Sequence, residues 1–358
     1  MKDTEKEKKP MCFSRVDTEN AVIVPEYKET LPGNDDQFVK YGPANTYPND
    51  LRNLAKESVT ASSVINGICE YMKGVKYEFN IDSNNITVDK VNTLCDTMDD
   101  LLESCIRDQV TFGGFALQVI YNKLGEIAEL YNIPIEFLRT NESRTKFWFS
   151  KKWTKYSAKS IEYPAFDKNQ TGMLRASEIF YCTNSGRLQT YPISFFTPVL
   201  YDMTSEAISG KYIAKTLDSG ISARYVISLP NAQNLTDEQK QDIEDGVKAK
   251  FTGIENAGEF MLYFNNGDQG LEVEKIDNDD SGQTFNAISD AASLRIYKAM
   301  HATPNLFGDP SQSSGFNSNE YDEALKVFKK MTLIPLARTI QKGFNQVLGD
   351  NAIKITVE

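Results

Sequence analysis

The chain has 358 residues, with 39 Lys and Arg against 50 Asp and Glu and a formal net charge of -11. That length suffices for one large domain with excursions, or for two domains, without disulfides or metals to hold the core. The acidity argues against wrapping nucleic acid by phosphate neutralisation, which needs clustered Lys and Arg, though it does not exclude DNA altogether, since a surface past which DNA slides should repel phosphates.

The five cysteines, Cys12, Cys69, Cys95, Cys105 and Cys182, are odd in number and form no C-x-x-C pair, so neither a disulfide framework nor a zinc site is encoded. They read as small buried hydrophobes in a reducing compartment. The opening MKDTEKEKKP carries charge and no apolar segment, and no run approaches the roughly 18 apolar residues of a membrane span, which predicts a soluble protein without a signal peptide. Its first twenty residues read as a mobile arm.

Apolar residues recur at three- and four-residue steps from Asp50 to Met72, predicting one amphipathic helix stopped by Gly74. A second helix is expected over Val88–Val110, with Val91, Leu94, Cys95, Met98, Leu101, Leu102, Cys105 and Ile106 on one stripe and Gly113-Gly114 beyond it. The pattern then turns β-like: a hairpin around Asn122–Gly125, then strands near Lys146–Trp153 and Ile179–Thr183. Thr197 as N-cap and Pro198 at the first position predict a helix to about Leu217. A strand follows at Arg224–Leu229. Thr236 with Gln239 forms a capping-box signature for a further helix. A strand pair is predicted on either side of a turn at Asn265–Gly270, and a helix from Gln283 to Ala302 stopped by Pro304. After the polar loop GDPSQSSGFNSN a last helix runs from Asn319 to Leu348, kinked by Pro335 through loss of a backbone hydrogen bond.

The chemistry these residues allow is narrow. His301 is the one histidine, so no His-based metal site or Ser-His-Asp triad can be assembled within a subunit; beside a helix C-terminus it reads as structural. No P-loop or G-x-G-x-x-G sequence is present. Ser143-Arg144-Thr145-Lys146 matches S-x-x-K, without the companion elements of that enzyme class. Asp277–Gly282 imitates a calcium loop but puts Ile288 where a bidentate Glu is needed; Asp279, Asp280 and Ser281 read as helix-start charges and caps.

Four stretches, in order, resemble the portal proteins of tailed phages, in the HK97-like branch. They are the helix from Pro198 to Gly220 with Ile227-Ser228-Leu229-Pro230 and Leu235–Gln239 after it; Gly253-Ile254-Glu255-Asn256-Ala257-Gly258-Glu259; His301-Ala302-Thr303-Pro304-Asn305-Leu306-Phe307-Gly308; and Asn317–Leu348 with Thr332-Leu333-Ile334-Pro335-Leu336. Tyr47-Pro48-Asn49-Asp50-Leu51 and the Gly113-Gly114 hairpin are similar more loosely. The chain departs from the family where His301-Ala302-Thr303 stands for the usual Phe-Gly-Val, and it ends soon after the last helix, so a helical crown is short or absent.

The resemblance implies an α+β portal fold and a dodecameric ring: a mobile arm (1–25), a mixed wing (26–194), stem helices (195–219 and 277–303) around a small α/β clip (220–276), and a tunnel loop with a long kinked helix (304–358) completing the wing. Implied DNA-facing residues are Gly308, Asp309, Gln312, Ser313, Ser314, Gly315, Phe316 and Asn317, in a stretch that holds no Lys or Arg. Implied clip residues, where terminase and adaptor proteins dock, are Asn231, Gln233, Asp237, Glu238, Asn265, Asn266 and Asp268; Pro335 marks the helix kink. The implied partners are further copies of the chain, double-stranded DNA, the terminase large subunit, head-completion and tail proteins and the major capsid protein, with no membrane, cofactor, metal or catalytic residue, in the virion and, during assembly, the host cytoplasm. The competing reading is a DNA-processing hydrolase built on scattered carboxylates and a divalent metal; a capsid or connector subunit of another kind would leave the kinked helix unexplained.

Overall fold

The computed structural model describes residues 24–33, 37–81, 86–94, 96–153, 159–170, 172–186, 189–218, 224–229, 236, 238, 241–242, 260–264, 272–276, 281–308 and 318–357. The architecture is α+β, and its core gathers three N-terminal helices, a small sheet and the last helix into one cluster.

The single helix expected over Asp50–Met72 is two: α1 (Tyr47–Glu57) and α2 (Val59–Lys73). Ser58 between them is extended, and its hydroxyl accepts from Ala61 N–H, so it ends one helix and caps the next. The second expected helix starts ten residues later, as α3 (Met98–Phe112). Thr97 and Asp100 close a reciprocal capping box there and outweigh the apolar stripe upstream, where Val91 is buried in a loop and Leu94 is 74% exposed.

Gly113 ends α3 at φ 82, and its neighbour opens β4 (Gly114–Tyr121). The predicted hairpin forms: β4 pairs antiparallel with β5 (Ile127–Asn132), and Asn122 Oδ1 accepts from Leu124 and Glu126 N–H in the turn. Strand β9 (Glu178–Thr183) lies on the other side of β4. Between them, β6 (Leu138–Thr140), β7 (Lys146–Phe149) and β8 (Ile161–Pro164) make a second antiparallel sheet. Two short pairs complete the frame: β1 (Glu29–Thr30) with β2 (Lys40–Tyr41), and β3 (Lys76–Phe79) with the C-terminal β13 (Ile353–Thr356).

Helix α4 (Leu200–Asp218) is entered through a tight turn at Thr197–Val199, and Thr197 is not its cap. Ser194 holds the lead-in instead: its hydroxyl accepts from Phe196 N–H and donates to Thr111 O, and its carbonyl accepts from Thr197 N–H. Beyond α4, β10 (Arg224–Leu229) sits between β11 (Phe260–Phe264) and β12 (Glu272–Ile276), parallel to the first and antiparallel to the second. The expected pairing of β11 with β12 across Asn265–Gly270 therefore does not occur; a parallel β10–β11 pair needs a long crossover, and residues 230–259 supply the length.

Helix α5 (Ser281–Ala299) leads into a turn at Pro304–Phe307, then α6 (Ser318–Phe328), a π turn at Lys329–Leu333 and α7 (Ile334–Leu348). The last helix docks on β4 by close approach: a Cβ on Gly343 would lie 2.5 Å from Phe115, and Phe344 stacks on Phe115 at 6.0 Å. Among the described residues no helix is long and apolar enough to cross a membrane.

Candidate functional site

Helices α4 and α5 pack on one another. Met203 and Ala207 of α4 and Ala292 and Ile296 of α5 are buried, and Asp202 near the start of α4 meets Arg295 near the end of α5 at 2.8 Å, so the two run in opposite directions. Hydroxyls inside α4 stay satisfied by bonding back one turn, Thr204 to Leu200 O and Ser209 to Ser205 O, which lets both side chains be buried.

One buried carboxylate fastens this pair to the rest of the molecule. Glu206 of α4 accepts from Thr60 Oγ1 at 2.6 Å, from Thr60 N–H at 3.2 Å and from the Ser58 hydroxyl, all at the start of α2. The start of a helix attracts negative charge, and α2 has no acid of its own in its first turn. That missing acid is the signal by which the sequence could have asked for a distant partner; Glu206 itself was not singled out.

At the end of α5, His301 adopts φ 51, its N–H donates to Lys298 O, and Ala302 N–H reaches back to Tyr297 O. This is a Schellman stop with histidine in the left-handed position that glycine usually fills. Phe307 in the next turn lies against Gly67, where a Cβ would come within 2.5 Å of the ring, and contacts Tyr297 and Phe328 at 6.0 and 5.6 Å. The helix pair and the last long helix are thereby both anchored where the chain passes between them.

Pro335 interrupts that last helix without opening it. A proline at this position has no N–H to give to the preceding turn. The π turn rearranges the bonds just before it, Ile334 N–H donating to Lys329 O five residues back, so the missing donor falls where the register already changes.

The model of the phage portal protein family matches residues 92–358. The chain belongs to that family. Solved structures agree on the fold of this portal protein. One, described as the virion of a native gene transfer agent particle, shares 15% identity at a TM-score of 0.55, over 86% of this chain and 83% of that one. The neck of an empty particle of the same kind, computed with C6 symmetry, gives 16% identity and a TM-score of 0.55 over 87% and 85%. An HK97-family phage portal protein from Corynebacterium diphtheriae gives 12% and 0.53 over 88% and 96%. No curated protein matches the sequence.

Of the portal residues named from sequence, Gly308, Glu238 and Pro335 are described. Gly308 ends the Pro304–Phe307 turn at φ 83, where only glycine avoids strain, and Glu238 and Pro335 are exposed. Asp309, Gln312, Ser313, Ser314, Gly315, Phe316 and Asn317 lie outside the described residues, as do Asn231, Gln233, Asp237, Asn265, Asn266, Asp268 and the acidic stretch Asp277–Asp280. Of the cysteines, Cys69 and Cys105 are buried and Cys182 half-buried; burial pushes the Cys69 and Cys182 thiols up to about 11 and that of Cys105 well above its usual value, which favours the neutral thiol at all three.

Proposed function

We propose that this portal protein forms a ring of about twelve subunits at one capsid vertex, through which double-stranded DNA is packaged and ejected. In this reading α4 and α5 are the stem, 220–276 the clip on which the terminase large subunit and then head-completion, adaptor and tail proteins dock, and 26–194 with the last helix the wing. The loop at 308–318 reaches the DNA. Rings nucleate with the major capsid protein in the host cytoplasm and remain in the virion.

The observation that carries this reading is the helix pair itself: α4 and α5 pack together, yet some sixty residues lie between them and include a separate three-stranded sheet. Such an excursion extends a two-helix stalk into a terminal module. A second feature supports a ring. Tyr201 at 76% and Ile208 at 46% exposure on α4, with Ile288 at 43% on α5, present apolar surface outward from helices already packed on their other faces. Neighbouring subunits in a closed heterologous ring would cover it.

The portal family is structural. Among the described residues no group of three His, Cys, Asp or Glu is placed to hold a metal ion. Mass by light scattering, with symmetry from electron microscopy, tests the proposal: a ring with a central channel is expected, and a persistent monomer or dimer at all salt concentrations would overturn it.

A further inference from the structure

The last long helix carries the densest run of positive charge in the described part of this acidic chain. Lys326, Lys329, Lys330 and Arg338, with Ile334 and Pro335, line a groove of about 550 Å3 that no carboxylate enters. Lys326, Lys330 and Arg338 are exposed, Lys329 is partly so, and among the described residues none of the four has an ion-pair or hydrogen-bond partner.

Their alignment is not what the spacing alone would give. Lys326, Lys330, Ile334 and Arg338 follow at four-residue steps, and an unbroken α-helix turns about 40° past one revolution at each step, so Arg338 would end about 120° around the helix from Lys326. The π turn at Lys329–Leu333 accommodates one extra residue, which takes back about 100° of that drift and returns Arg338 to the face of Lys326. Pro335, by removing the N–H that a regular turn would use, favours the π turn and so helps to set the row.

We infer that this row is a binding strip for the phosphates of double-stranded DNA, set by the Pro335-linked π turn; the inference rests on the ring reading above. Lys326 and Lys330 stand about 6 Å apart along the axis and Arg338 about 12 Å further, with Ile334 between, facing a backbone that offers one charge per about 3.4 Å of axis on each strand, so each cation can find a phosphate. A groove lined only by cations, one isoleucine and one proline favours a polyanion over a protein surface, which would bring apolar and hydrogen-bonding groups of its own. The sequence Gly308–Asn319 just before it has no Lys or Arg, so the positive charge of this part of the chain is gathered on the helix.

The test is binding of a short linear duplex of mixed sequence to assembled rings across a salt series, comparing wild type with Lys326→Gln/Lys330→Gln/Arg338→Gln and with Pro335→Ala. The triple variant should assemble normally, bind more weakly and lower the slope of log affinity against log salt by about 2 to 3 or more; Pro335→Ala keeps every charge and should lower it by about 1. An unchanged slope in the triple variant with rings intact overturns the inference and leaves the portal reading standing. Loss of rings in that variant also overturns it, because the strip then seats a neighbouring subunit. An unchanged slope in Pro335→Ala overturns the role given to the π turn, and a wild type that never forms rings removes both readings together.

Discussion

In the α/β frame, charge is buried and its partners are fixed. Arg139 is 0% exposed, donates to Asn45 Oδ1 at 2.7 Å, to Asn45 O and Leu138 O at 2.6 Å and to Glu136 O at 3.2 Å, and lies over the Trp153 ring at 4.9 Å. Arg52 bridges Asp108 and Glu136 at 2.7 and 2.8 Å, and Arg175 holds buried Glu178 at 2.8 Å. Among the described residues the helix pair α4–α5 has one comparable fixing, Glu206 on α2, while the ion pairs Arg295–Asp202 and Lys211–Glu57 involve exposed side chains. Buried polar groups tied to several partners specify one geometry, whereas exposed pairs yield to solvent. The frame is therefore held by buried charge, whereas the helix pair joins it through buried apolar residues such as Met203, Ile296 and Met300 and the buried carboxylate of Glu206.

The largest effect that would sharpen this contrast is at Arg139. Its acceptors are all neutral, so Arg139→Ala strips partners from several buried oxygens and leaves a cavity, an expected loss of about 3–5 kcal/mol in denaturant unfolding. Arg139→Lys should recover little, since a point charge cannot reach both Asn45 and the Leu138 carbonyl in the plane of one fork. Glu206→Ala comes next, at about 2–3 kcal/mol, because Ser58 and Thr60 keep buried donors without an acceptor. A loss below about 0.5 kcal/mol there would mean that α4 is not fastened through α2.

The Arg52 site supplies a pH-dependent version. Burial is the main cause that raises the Asp108 carboxyl from 3.8 to about 6, opposed by the Arg52 charge and assisted by Glu136. Between those values the folded protein holds more protons than the unfolded chain, so this group's contribution to stability falls as pH rises from about 4 to 6 and is level above that. Asp108→Asn should flatten the profile over that window by roughly 2 kcal/mol. A variant whose midpoints at pH 4, 5 and 6 parallel those of the wild type would show that the carboxyl is not proton-linked to folding.

What sequence alone could reach follows the range of the interactions. The strand Arg224–Leu229 and the hairpin at Asn122–Gly125 were legible because their signals are local: branched residues in a run, an Asn and a Gly in a turn. The break at Ser58 was not, because its decisive partner, Glu206, lies 148 residues away. The order of β11, β10 and β12 escaped for the same reason, as strand neighbours are chosen by a crossover and not by adjacency. Pro335 was legible as an interruption, but the form of that interruption, a π turn that returns Arg338 to the face of Lys326, depends on which carbonyl Ile334 N–H finds. The loop and clip residues came from family resemblance and from no chemistry of their own.

The smallest expected effect is the one most specific to the comparison. Asp202 and Arg295 meet at 2.8 Å with side-chain exposures of 17% and 66%, so water and salt compete for the arginine. Asp202→Ala should cost less than about 1 kcal/mol at low ionic strength and almost nothing in 1 M salt, where the screening length is about 3 Å. Glu206→Ala should keep most of its cost in the same salt, because its partners are uncharged hydroxyl and amide donors buried with it. Both residues sit on α4 within one turn of each other, so unequal salt responses isolate burial as the cause. Equal costs in both conditions would show the exposed pair to be held as firmly as the buried carboxylate, and the contrast between buried and exposed charge would fall.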